Sequence, residues 1–348
     1  MAPWQFPDFD DHEAVHFFAD ATSGLRAIIA VHSTHLGPAA GGCRFWHYAQ
    51  DDAAITDALR LSRGMSYKNA MAGLPLGGGK GVILAPADRV KTPALLAAFG
   101  RAIESLGGRY VTAEDVGMGE ADLVAIGRET RYVSGLPVAG ADAAGGDPGP
   151  FTADGVFLGV KAAIRRGLGK DDAAGVHVAI QGVGSVGGGL ARRLAAQGAR
   201  LTLADVDAGR AERLAAELGA ATVAADAILS IEADVLSPCA LGAILTAETI
   251  GALRVPVVAG GANNQIATPE DGARLRDRGV LYAPDYVINA GGIINVGLEY
   301  LGAGSDEVAR RVAAIPERLN AIWDEAEATA TPPSAVADRM AQRLIGRG

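Results

Sequence analysis

The chain has 348 residues, enough for two domains of ordinary size. With 49% apolar and 20% charged residues it can bury sizeable cores, which excludes a disordered chain. A formal net charge of -9 argues against a general nucleic-acid binder, which would show a basic face.

The N-terminal stretch Met1-Ala-Pro-Trp-Gln-Phe-Pro-Asp-Phe-Asp10 has neither the basic nor the apolar region of a signal peptide. No apolar run reaches the ~18 residues of a membrane span. The only cysteines, Cys43 and Cys239, cannot build a disulfide framework or a CxxC zinc site, and read as reduced thiols of a cytoplasmic protein.

Residues 1–135 read as a mixed α/β domain. Leu25–Val31 is rich in β-branched residues and predicts a strand. Residues 52–71 carry apolar side chains at helical spacing, and Leu61, Met65 and Lys68 share one stripe. Short strands are expected at Gly81–Leu84 and Arg109–Thr112, with a helix over 93–105 between them. The stretch Gly135–Pro150 is dominated by glycine, proline and alanine and reads as a hinge. A helix over Thr152–Arg166 leads into the second domain.

From Gly175 strand and helix alternate. Val176–Ile180 is a nearly continuous apolar run, as in a strand buried on both faces. A helix follows over Val186–Gln197, then a strand at Leu201–Ala204 and a helix over 208–218. Further short strands are expected at Asp234–Leu236, Val255–Ala259 and Gly279–Tyr282. This series implies a parallel, doubly wound sheet. The tail from about residue 305 reads as amphipathic helix, and its segment 325–348 is a candidate to pack back on the first domain.

The first chemical signal is a pair of lysines in nearly uncharged, glycine-rich surroundings: Lys68 in Met65-Ser-Tyr-Lys-Asn69 and Lys80 in Gly77-Gly-Gly-Lys-Gly81. Such surroundings solvate an ammonium poorly, which lowers its pKa and makes it a usable base; a second ammonium nearby acts in the same direction. A phosphate loop is excluded, because Leu74 and Gly81 stand where the motif requires glycine and Ser or Thr.

The second signal is Gly182-Val-Gly184-Ser185-Val186-Gly187, set after a strand and at the start of a helix. It reads as a dinucleotide fingerprint, with Asp205 at the end of the next strand placed for the adenosine ribose; a carboxylate there repels a 2′-phosphate and favours NAD over NADP. Asp115, in Thr112-Ala-Glu-Asp-Val116, is either a proton partner for a low-pKa lysine or the N-cap of a helix over 119–127, and spacing does not separate it from Glu114. Asn263 and Asn289 stand at ends of apolar strands, where α/β sheets bind ligands.

Ordered along the chain, Leu36–Gly42, Met65–Lys68, Leu76–Lys80, Thr112–Val116, Gln181–Gly184, Ala240–Gly242 and Tyr282–Gly292 resemble the glutamate/leucine/phenylalanine/valine dehydrogenase family. The likeness spans residues 20–300 and is strongest to the short bacterial leucine and phenylalanine enzymes. It implies a substrate-binding and oligomerisation domain over 1–135 and a Rossmann-type NAD domain over 136–324, joined as a homo-oligomer, dimer or octamer. It also implies oxidative deamination, in which an L-amino acid, NAD⁺ and water give a 2-oxo acid, ammonium and NADH.

By matched motif, Lys68 binds the substrate carboxylate, Lys80 activates water, and Asp115 shuttles protons to and from the amine. Gly41 and Gly42 floor the substrate. Thr152 and Asn263 face the nicotinamide and substrate, Cys239 and Ala240 line the cofactor cleft, and no metal is called for. The positions matched to the side-chain pocket are Ala40, Met65, Ala113, Ile293 and Val296. All are apolar, so glutamate is disfavoured and a branched-chain substrate favoured. Ala40 stands where leucine enzymes carry leucine, which leaves a phenylalanine or broad-specificity enzyme as the alternative. A metal-dependent decarboxylating dehydrogenase of 2-hydroxy acids and a non-catalytic NAD-binding protein are more distant readings.

Overall fold

A computed structural model describes residues 2–137 and 143–347, so the central part of the expected hinge, residues 138–142, lies outside the described residues. The chain divides into two compact units. One comprises residues 1–147, 293–308 and 341–348, and the other residues 148–292 and 309–340. The sequence reading cut the chain at 135/136 and left 293–324 with the nucleotide domain. Local hydrogen bonding explains the different division. Asn295 pairs both its amide atoms with the backbone of Gly145, at 2.9 Å each, and Glu299 accepts from the N–H groups of Gly135 and Leu136 at 3.0 Å. At the far end of the chain, Gln342 donates to the Tyr67 hydroxyl (3.0 Å) and Arg347 donates to the carbonyls of Asp10, Asp11 and His32.

The first unit contains β1 (Ala14–Asp20), β2 (Leu25–Ser33), β3 (Ala39–Trp46), α1 (Asp51–Met71), β4 (Gly77–Leu84), α2 (Pro93–Glu104), β5 (Tyr110–Ala113) and α3 (Glu120–Ile126). Its five strands lie in the order β1-β2-β4-β3-β5. β2 pairs antiparallel with β1 and β4, while β3 runs parallel to β4 and β5. One core joins Leu25, Ile29, Phe45, Phe99, Ile103, Tyr110, Leu123 and Ile126. A smaller one sets Ala54 and Ala58 of α1 on Ile28, Ala30 and Val82.

The sequence reading began the second of these central strands at Gly81. The strand starts at Gly77, and the glycines serve packing: a Cβ on Gly78 would lie 2.0 Å from the backbone nitrogen of Ser66, so α1 rests directly on β4. Lys80 is therefore a strand residue. β3 carried no strand signal at all, since glycine is depleted in strands and Ala39-Ala-Gly-Gly-Cys43 shows no alternation.

Along the second unit the chain forms α4 (Pro148–Leu168), β6 (His177–Gln181), α5 (Ser185–Ala196), β7 (Arg200–Ala204), α6 (Ala208–Leu218), β8 (Ala221–Thr222), β9 (Val235–Pro238), α7 (Ala247–Ala252), β10 (Val257–Val258), α8 (Pro269–Asp277), β11 (Leu281–Tyr282) and α9 (Asp285–Ile288). The sheet order β11-β10-β9-β6-β7-β8 is parallel throughout. It winds one way from β6 to β8 and the other from β9 to β11, so its switch point lies between β6 and β9. That is the ligand-binding position of doubly wound sheets. Beyond α9 come α10 (Gly291–Tyr300), α11 (Ser305–Ala313), α12 (Ile315–Thr329) and α13 (Pro333–Leu344). Trp323 of α12 is buried and donates to the carbonyl of Tyr282, 2.9 Å away. Among the described residues no helix is long and apolar enough to cross a membrane.

Candidate active site

In the first unit, β3, β4 and the end of β5 lie side by side, with Gly41 opposite Thr112, Gly42 opposite Ala113 and Cys43 opposite Gly81. This register brings Lys80 and Asp115 together. Lys80 Nζ is 2.7 Å from Asp115 Oδ2, and Lys80 is only 5% exposed. Gly42 makes the approach possible, since a Cβ there would stand 2.2 Å from the carbonyl oxygen of Glu114 and 3.0 Å from Cβ of Asp115.

The N-cap of α3 is Gly119, so Asp115 is not the cap of that helix. Nor does Glu114 take its place. Partial burial and the nearby Glu120, Asp147 and Asp122 lift the Glu114 carboxyl above its ordinary value.

Burial lowers the pKa of Lys80, the Asp115 charge opposes that shift, and the Arg44 charge reinforces it. For Asp115, burial acts upward, but Lys80 and Arg44 outweigh it and hold the carboxyl below its ordinary value. A cation that the sequence does not single out, Arg44, also contacts this carboxylate, its Nε 3.1 Å from Asp115 Oδ2. Arg44 carried no signal because its partners, Asp57 and Asp115, are distant in sequence.

Lys68 is half-buried on α1. The next residue, Asn69, is fully buried and donates to the carbonyls of Ala40 (3.2 Å) and Gly77 (2.6 Å), which ties this turn of α1 to β3 and β4. Met65, one turn earlier, reaches over Gly41, its Cγ 3.0 Å from where a Cβ would stand on that glycine.

A small cavity adjoins these residues. It is lined by Ala40, Gly41, Ala113, Ile293 and Val296, all expected, and by Leu76, Val111, Thr112, Ser134, Gly297 and Tyr300, which the sequence reading does not name. No cation lines it. Ser134 Oγ donates to the Val296 carbonyl (2.7 Å), holding α10 against the strand end.

In the second unit the fingerprint lies at the switch point. Gly182, in the left-handed region at φ +85°, closes on Ala240. The N–H of Cys239 donates to the Gln181 carbonyl at 2.7 Å, and Val186 packs on Gly261. Gly184 and Ser185 are exposed at the N-terminus of α5, and a Cβ on Gly184 would meet nothing within 4 Å. A helix start with open space before its N–H groups suits a pyrophosphate.

Asp205 accepts from the N–H of Val183 and of Asp207, both at 2.9 Å. Although burial acts upward on its carboxyl, these bonds and Arg210 hold it below the ordinary value. Asn289 Nδ2 donates to Asn263 Oδ1 (2.7 Å) and to the Gly261 carbonyl (3.1 Å), while its own buried Oδ1 has no hydrogen-bond partner. Such an orphaned acceptor fits a carboxamide amine. Thr152 Oγ1 donates to the Pro148 carbonyl at 2.9 Å and lies against Gly292. These residues fit a nicotinamide dinucleotide. Among the described residues, no group of three or more His, Cys, Asp or Glu is placed to hold a metal ion.

Two family models match the chain. One describes the Glu/Leu/Phe/Val dehydrogenase dimerisation domain, over residues 12–132, and the other the glutamate/leucine/phenylalanine/valine dehydrogenase domain, over residues 204–342. A leucine dehydrogenase of Thermoactinomyces intermedius is 47% identical over 335 residues, covering 96% of this chain and 91% of that protein. A valine dehydrogenase of Streptomyces coelicolor is 44% identical over 343 residues, covering 97% and 93%. The crystal structure of L-tryptophan dehydrogenase from Nostoc punctiforme is similar at a TM-score of 0.86 and 41% identity, covering 96% of each chain. With a parallel sheet carrying its fingerprint at the switch point and these relatives matched over nearly its whole length, the chain belongs to the glutamate/leucine/phenylalanine/valine dehydrogenase family and is an amino-acid dehydrogenase.

Proposed function

We propose that the protein catalyses NAD-dependent, reversible oxidative deamination of an apolar L-amino acid, with branched-chain substrates favoured. The observation that carries this reading is the buried Lys80–Asp115 pair, 2.7 Å apart, beside a pocket without a cation. A substrate with a second carboxylate finds no partner there, whereas an aliphatic side chain is desolvated among Ala40, Leu76, Val111, Ala113, Ile293 and Val296.

Lys68 holds the substrate carboxylate by charge. Ionised Asp115 takes a proton from the substrate ammonium, which leaves a free amine. A bound nicotinamide dinucleotide would supply the acceptor for the hydride from Cα, which leaves the substrate as a protonated imine. Neutral Lys80 then takes a proton from water as the water oxygen adds to the imine carbon. Asp115 returns its proton to the nitrogen and then, ionised again, takes the proton of the new hydroxyl as the C–N bond breaks to release ammonia and the 2-oxo acid. Lys80 must be neutral in the attack, and burial acts in that direction.

NAD is favoured because Asp205 is ionised beside the fingerprint, and Arg210 at its side is already shared with Asp207. The matched dimerisation domain supports a homo-oligomer, dimer or octamer, built on the first unit, and the two free cysteines suit the cytoplasm. A specific observation favours an aromatic alternative. Ala40 and Gly297 leave two walls of the pocket without bulk, and the tryptophan dehydrogenase is a relative.

NADH formation at alkaline pH across a panel of L-amino acids tests the reading. Leucine, isoleucine and valine should lead, phenylalanine and tryptophan follow, and glutamate fail. Absence of turnover with every aliphatic and aromatic amino acid would reject it.

A further inference from the structure

The chemistry makes opposing demands on one ion pair. Asp115 must be an anion beside Lys80 to exchange protons with it and with the substrate. Yet an anion 2.7 Å from an ammonium holds the proton on the lysine. Burial alone acts on both groups toward neutrality and does not keep the carboxylate ionised. A fixed positive charge on the carboxylate meets both demands, because it favours the anion and disfavours the ammonium.

Arg44 has that geometry. It lies on β3, three residues after the cavity residue Gly41. Its Nε is 3.1 Å from the same oxygen, Asp115 Oδ2, that Lys80 contacts. Its Nη1 is 2.8 Å from Asp57 Oδ2 on α1, and Asp57 in turn accepts from the Tyr48 hydroxyl (2.8 Å) and from Arg60 (3.1 Å). The guanidinium is thus anchored at both ends, about one-fifth exposed, and does not titrate. The other titratable groups near the pair offer no substitute. Cys43 on β3 and Tyr110 on β5 are driven to their neutral forms by burial, and Asp122 of α3 is paired with Lys91. Lys68, on α1, is engaged by the substrate in the proposed mechanism.

We propose that Arg44 is a positioning residue for the deamination: it fixes the Asp115 carboxylate on Lys80 Nζ and offsets its charge, so that Lys80 sheds its proton while Asp115 stays ionised. This rests on Lys80 being the base. Asp57 is the anchor that prevents Arg44 from turning to solvent.

The experiment is the pH dependence of kcat/KM for leucine oxidation in Arg44→Gln and Arg44→Lys, with thermal unfolding as the check on folding. In R44Q the acid limb should move upward by roughly one pH unit, the size of shift that one neighbouring charge confers. In R44K the limb should stay near its parental position while the plateau falls, because charge is kept and the two-ended anchoring is lost. If R44Q does not fold, Arg44→Met carries the same prediction. A limb at the parental pH in the charge-removing variant, with activity lowered equally at every pH, would overturn the proposal. So would a limb in R44K displaced as far as in R44Q. Lys80→Ala separates this from the functional reading: near-parental turnover there removes the base itself, whereas an inactive K80A with an unmoved limb in R44Q defeats only the role of Arg44.

Discussion

Around Lys80 the first unit gathers Asp115, Arg44 and Asp57 in side chains largely withdrawn from water, while around Gly182–Gly187 the second unit presents backbone N–H groups, an open helix end and a single carboxylate. The difference follows from what each must hold. A reacting substrate needs groups whose proton affinity is set by burial and neighbours, so charges are buried and compensated. A diphosphate needs only donors and a favourable dipole, which the main chain supplies if side chains keep out of the way. Substitutions should therefore act on protonation in one place and on access in the other.

The largest effect belongs to Lys80→Ala, expected to lower kcat by about 10²–10⁴-fold, the range of one general base. Steady-state rates measure it, with unfolding curves to show that the fold survives. In the parent, the acid limb of kcat/KM should lie below the pKa of a free lysine, since burial disfavours the ammonium. A limb at the free-lysine value would mean that the reacting group is exposed.

One chemical change made twice sharpens the contrast. Gly42→Ala meets the Glu114 carbonyl at 2.2 Å and should lower stability by about 1–3 kcal/mol with loss of turnover. Gly184→Ala enters open space and should leave the melting temperature in place while raising KM for NAD. Unchanged KM for NAD in G184A would break the claim that backbone access governs the second site.

Ala40→Leu fills the pocket wall. It should raise the preference for valine over phenylalanine by on the order of tenfold or more, as one to three carbon atoms in an apolar pocket allow. Competition assays with the two amino acids read this ratio. Asp205→Ser, the mildest change, should lower the preference for NAD over NADP by about tenfold, the worth of one charged hydrogen bond. It should leave KM for the amino acid unaltered.

Much of the second unit was legible because its signals are local. The apolar run before Gly182, the glycine spacing and the acid after the next strand occupy some thirty consecutive residues, and the structure places them at one switch point. The first unit hid more. β3 and the start of β4 are strands because α1 and neighbouring strands press on glycines, a tertiary cause that strand propensity does not register. Lys80 stood out by its surroundings, and Asp115 was one of two adjacent acids that spacing left unresolved. Arg44 could not be found at all, since only the fold joins residues 44, 57 and 115. Leu76, Tyr300 and Gly297 were missed for the same reason: they meet at the cavity from three separate segments.

Asn295 and Glu299 have a consequence for how this enzyme can be altered. They grip the backbone at Gly145 and at Gly135–Leu136, and they alternate along α10 with Ile293, Val296, Gly297 and Tyr300, which wall the cavity. The helix is thus a ruler read from both sides: a substitution that shifts the backbone at Gly135–Leu136 or at Gly145 should be felt by Ile293, Val296, Gly297 and Tyr300 without touching a residue of the cavity wall. Variation at Gly135, Leu136 and Gly145 would then be a second address, besides the cavity wall, at which to look for altered substrate preference.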